Sequence, residues 1–156
     1  MTFIKFAAAS FAAAAVLATP VSVQAGSAND QAEAVRKLDI MLMVTSLRCR
    51  RTADNFQADY QRFSSSHLTA LNAASRTLQA DLVKKGGAAG AKRALDKISV
   101  GMANEYGNGH PWLGCGELKQ IARELAADKN SAQLASAADD LLASRPRGQW
   151  AMAGTR

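Results

Sequence analysis

Phe56, Tyr60, Phe63, His67, Leu71, Ala74, Leu78 and Leu82 recur at steps of three and four along this chain. That spacing puts them on one face of an α-helix, whereas a strand alternates its faces every second residue. The stripe predicts a helix of about eight turns. Thr52 stands where it can cap the start, and Ser64-Ser65-Ser66 marks the place for a bend. Gly86-Gly87 stands where helices commonly end.

The rest of the chain reads the same way. Ala, Leu, Lys, Arg and Gln dominate, and strand signals are few. Ser27 or Asn29 can cap a first helix whose apolar positions Val35, Leu38, Met41, Leu42 and Thr45 lie three and four apart. From Leu38 to Leu47 nearly every position is apolar, which predicts a helix central in the core. A third helix carries Leu95, Ile98, Met102 and Tyr106 and stops at Gly107. A fourth uses Leu118, Ile121 and Leu125, and Ser131 is placed to cap a fifth. The fold class expected is all-α, a small bundle of four or five helices over residues 26–143.

The two ends read differently. Lys5 is the only charge before Asp30. Phe6 to Ala18 is an apolar run, Pro20 breaks it, and Val23-Gln24-Ala25 places small residues at the positions a signal peptidase reads. The run is shorter than the ~20 apolar residues a membrane-spanning helix needs. Residues 1–25 are therefore expected to be a cleaved signal peptide, the mature protein periplasmic or secreted, with no membrane span after cleavage. Residues 144–156 hold Pro146, Gly148 and the dispersed charges Arg145, Arg147 and Arg156, the pattern of a disordered tail. The formal net charge is +6, but its lysines and arginines are scattered among acids. Nucleic-acid binding needs a clustered basic face, so nucleic acid is not expected as a partner.

Four features carry chemistry. Cys49 and Cys115 are the only cysteines, and an even count in an exported chain predicts a disulfide. Closing the loop between positions 49 and 115 is worth about 4 kcal/mol on chain-entropy arithmetic. Asn104 to Trp112 groups one carboxylate, Glu105, and one imidazole, His110, with Tyr106, Trp112, Gly107, Gly109 and Pro111. Tyr106 and Trp112 would wall a ring or a sugar, with Glu105 and His110 as acid and base. The favoured structural alternative is that the loop buries Trp112 and pairs His110 with Glu105. Arg48, Arg50 and Arg51 flank Cys49, so a bridge would bring them to the Gly107–Gly114 loop as an anion site. Helix-end charge compensation, with ion pairs to Asp54 and Asp59, is the structural alternative. His67 lies on the core stripe and reads as a structural histidine. No third ligand joins it and His110, so no metal is expected. Neither G-x-S-x-G, H-E-x-x-H, G-x-G-x-x-G nor a P-loop occurs, and no cofactor is expected.

Leu38 to Arg50, and Met102 to Gly107 with His110-Pro111-Trp112-Leu113-Gly114-Cys115, resemble a group of short exported helical proteins of sphingomonad-type alphaproteobacteria. The resemblance implies the compartment and the fold, and no established activity. Some members carry an S-adenosylhomocysteine hydrolase label. That chemistry needs a dinucleotide fold with a glycine-rich strand-to-helix turn. Gly86-Gly87-Ala88-Ala89-Gly90 follows a long helix instead, so the activity is not expected. The function expected is a non-catalytic periplasmic protein that binds a small molecule or an envelope protein through Tyr106, His110, Trp112, Arg48, Arg50 and Arg51. Two alternatives stand beside it: a small hydrolase using Glu105 and His110, and a purely structural or stress-protective protein.

Overall fold

In the computed structural model, residues 27–143 are described; the signal-peptide and tail expectations fall outside them. The described residues hold five α-helices and no strand: α1 Ala28–Cys49, α2 Gln57–Ser66, α3 Leu68–Tyr106, α4 Cys115–Ala127 and α5 Ser131–Leu141. No helix among them is long and apolar enough to cross a membrane.

Local chemistry sets most of the helix starts. Ser27 caps α1 by accepting from the Asp30 amide, while the Asp30 carboxylate accepts from the Ser27 amide. Glu117 accepts from the Gly114 amide at the start of α4. Asn130, and not Ser131 as expected, caps α5: its side chain accepts from Ala132. Thr52 is not the cap of α2 either. Its hydroxyl turns back to donate to the Cys49 carbonyl at 2.8 Å, and α2 begins only after Phe56.

The predicted eight-turn helix is two helices. α2 ends at Ser66, and His67 leaves helical geometry at φ −104°, ψ 11°. Serines compete for nearby backbone groups and weaken a helix interior, and the His67 side chain is drawn to a carbonyl on α4, described below. The stripe still faces the core on both sides of the break. Phe56, Phe63, His67, Leu71 and Leu78 are all buried. At Gly87 the chain turns sharply, with φ 66° and ψ 178°, a conformation an L side chain rarely adopts. Helix resumes at once, so the expected second and third helices meet as one kinked element, α3.

α1 is the hub and packs against all four other helices. Leu38, Met41, Leu42 and Thr45 are fully buried on it. The Thr45 hydroxyl is satisfied by donating to the Met41 carbonyl at 2.7 Å. The expectation of a helix covered all round is corrected at two places: Met43 is 39% exposed and Leu47 47%. The neighbouring helices leave that strip of α1 open. Asp59, 2% exposed, ties α2 to α4 by accepting from Arg123 at 3.0 Å and from Arg62 on its own helix.

Candidate functional site

The Cα atoms of Cys49 and Cys115 lie 5.8 Å apart and the two residues form a disulfide. The bridge joins the end of α1 to the start of α4, as the cysteine count predicted. One of the three arginines thereby meets the glycine-rich loop. The Arg48 guanidinium lies so close to Gly109 that a Cβ there would stand 3.1 Å from its Nε, and Gly109 itself has φ 113°. Arg50 and Arg51 are exposed. Among the described residues none of the three arginines is in an ion pair. The expected partners are engaged elsewhere: Asp54 is 3.8 Å from Lys119, and Asp59 holds Arg62 and Arg123.

The loop itself is closed. His110 is 8% exposed and Tyr106 1%. Their rings stack at a centroid distance of 5.5 Å, and Trp112 meets the His110 ring edge-on at 4.7 Å. His110 Nε2–H donates to the Leu141 carbonyl at 2.7 Å, and Nδ1 faces the Trp112 amide at 3.5 Å. This tautomer is assigned from those partners. Trp112 Nε1–H donates to the Ala143 carbonyl at 3.0 Å. Leu141 is the last residue of α5, where helical carbonyls run out of backbone donors. The loop thus caps the C-terminus of α5. Burial lowers the His110 pKa and keeps the ring neutral, although the Leu141 hydrogen bond and the Glu105 carboxylate oppose the shift. Burial, with Glu105 beside it, likewise pushes the Tyr106 phenol up.

Glu105 and His110 therefore do not form a free acid–base pair. Glu105 is exposed, while the His110 ring is buried with Nε2–H on the Leu141 carbonyl and Nδ1 facing the Trp112 amide. The expected pairing of His110 with Glu105 is replaced by the carbonyl of Leu141.

His67 repeats the arrangement on another helix. Its Nε2 lies 2.8 Å from the Leu125 carbonyl, in the last turn of α4, and its ring packs on Phe63 at 5.2 Å. It is a structural histidine with a specific partner. No group of three metal-ligating side chains occurs among the described residues.

Two open grooves flank α1. One, of about 670 Å³, lies between the first turns of α1 and the last turns of α3, with Glu33, Lys37, Lys97 and Glu105 on its walls. The other, of about 890 Å³, lies between α1, the part of α3 before Gly87, and α5. Small side chains make most of its surface, among them Ala32, Ala70, Ala73, Ala74 and Ala135. His67 and Lys129 also line it. Sequence reasoning missed this groove. The signal was present as small residues at helical spacing, Ala28 and Ala32 on one helix, Ala70, Ala73 and Ala74 on another. Nothing in that spacing says that the two rows converge.

Against protein-family models, curated proteins and solved structures, the chain has no match.

Proposed function

We propose that this protein is an exported, non-catalytic binding protein of the bacterial envelope, and that its small-molecule site is the groove between α1, α3 and α5. The observation that carries the reading is that groove of about 890 Å³, within the usual range of ligand pockets. Its lining is mostly small and apolar, with Gln31, Thr77, Lys129, Ser136 and Asp139 among its polar members, so the ligand class that fits is a small, mostly apolar molecule that carries a polar group. Export rests on Lys5, the apolar run and Val23-Gln24-Ala25, and the Cys49–Cys115 bridge fits an oxidising compartment. The hydrolase alternative is disfavoured because the basic nitrogen of His110, Nδ1, faces the Trp112 amide in a ring only 8% exposed. A featureless structural protein would not need a three-walled groove.

The test is native mass spectrometry of the protein purified from its own periplasm, beside an Ala73→Phe variant. Ala73 is exposed on the groove wall, so the larger ring fills space without disturbing the core. A bound mass that disappears in the variant is the expected result. A bare protein in both, or a ligand retained equally by both, refutes this site. Hydrolytic turnover lost on Glu105→Gln would restore the enzyme reading.

A further inference from the structure

The end of α1 combines two features that folding does not require together. Met43 and Leu47 are exposed, and at a separation of four they share one helix face. Arg50 follows three residues later in αR geometry, so it continues the same face. Arg48 and Arg51 are near it in the chain, Arg48 lying against Gly109. Within four positions there are three guanidinium groups, none in an ion pair among the described residues, beside two bare apolar side chains.

The group is rigid. Cys49 at its centre is 2% exposed and bonded to Cys115. The Arg50 amide donates to Leu47, and the Thr52 amide and hydroxyl both donate to Cys49. Arg48 rests against Gly109. Compensation of the α1 dipole would account for one cation near the helix end. It does not account for three, and it gives no reason for Met43 and Leu47 to face solvent.

We propose that this surface docks on a bilayer rich in anionic phospholipid headgroups. Guanidinium groups bind phosphate in fork geometry, and apolar side chains next to them enter the headgroup–acyl boundary. Met43, Leu47 and Arg50 meet both demands on one face, with Arg48 and Arg51 next to it in the chain. Nucleic acid would use the arginines and leave Met43 and Leu47 unexplained. The proposal rests on the envelope location proposed above, and not on the groove. Two apolar side chains and three arginines make a reversible contact, with each arginine strengthening binding about fivefold at low salt.

The experiment is flotation of the oxidised protein with vesicles of phosphatidylglycerol mixed with phosphatidylcholine, and with phosphatidylcholine alone. Binding to the anionic vesicles only, weakened by salt near the ~0.5 M range, is expected. Arg50→Ser with Arg51→Ser should weaken it about 25-fold. Met43→Ser with Leu47→Ser should weaken it while leaving its salt dependence. All four side chains are exposed, and circular dichroism with the intact disulfide confirms that each variant is folded. Ala73→Phe should float as the wild type does, which separates this surface from the groove. Equal binding to both vesicle types, no binding to either, or an arginine variant that floats unchanged overturns the proposal. So does tighter binding to duplex DNA that survives the Met43 and Leu47 substitutions.

Discussion

Replacing His67 with leucine removes the donor that reaches the Leu125 carbonyl. The ring is 3% exposed and Leu125 4%, so water does not readily take the donor's place. An unsatisfied buried carbonyl costs about 1–3 kcal/mol. The lost packing of the ring on Phe63, 5.2 Å away, adds about 0.5 kcal/mol. Leucine is more apolar than imidazole and recovers about 1 kcal/mol by burial. The expected net change is a loss of about 0.5–2.5 kcal/mol. In urea this moves the unfolding midpoint down by about 1 M, with an unchanged slope. His67→Gln is the informative companion, because its amide nitrogen extends to about the place of Nε2. It should recover part of the loss. The assay is equilibrium urea unfolding of the oxidised protein at neutral pH, followed by far-ultraviolet circular dichroism. A leucine variant as stable as the wild type, with the same slope, would refute the claim that this bond holds the end of α4. Gln and Leu variants equally unstable would show that ring packing, and not the donor, supplies the effect.

Two further outcomes follow from the geometry of the loop and the bridge. Burial lowers the folded-state pKa of His110 below its ordinary 6.5, so the unfolded chain takes up that proton first as pH falls. Its contribution to stability is complete above 6.5, declines as pH drops from 6.5 toward the folded-state value, and is level below that. His110→Gln keeps a donor for Leu141 and should flatten that part of the urea-midpoint profile; an unchanged profile would count against a buried neutral ring. Reduction of Cys49–Cys115 should lower stability by at most about 4 kcal/mol, since chain entropy sets the ceiling. Unfolding with and without reductant measures it, and a reduced protein of equal stability would contradict the chain-entropy account.

What could be read from the sequence was whatever depends on neighbours along the chain. The period of three and four residues placed Phe56, Phe63, Leu71 and Leu78 in the core, where they are. Two cysteines gave one possible bridge, and it forms. The bend at Ser64-Ser65-Ser66 was readable, but the bond His67 makes there was not, because its carbonyl partner is 58 residues away. Nor was the partner of His110, a carbonyl 31 residues away on a helix end. The apolar run from Leu38 to Leu47 says that α1 is hydrophobic, but not how many helices arrive to cover it. Met43 and Leu47 stay exposed because the arrangement of α2 to α5 leaves that side open.

The fate of the two histidines bears directly on function. A helix end buried against other helices has carbonyls that water cannot reach, and each needs a donor that brings no second unsatisfied group with it. An aromatic N–H fits that need: the ring buries apolar surface and offers its hydrogen at a fixed distance from the backbone. His67 serves α4 in this way, and His110 and Trp112 serve the end of α5. Both assignments lead back to the groove between α1, α3 and α5. α5 forms one wall of it, and His67 is among its lining residues. The residues that first suggested chemistry thus set the position of one wall of the proposed binding groove. His110 and Trp112 act on the groove through α5, without touching its contents. A substitution at either is therefore expected to change ligand retention by shifting α5, and only alongside a loss of stability, whereas Ala73→Phe should remove retention with the stability intact.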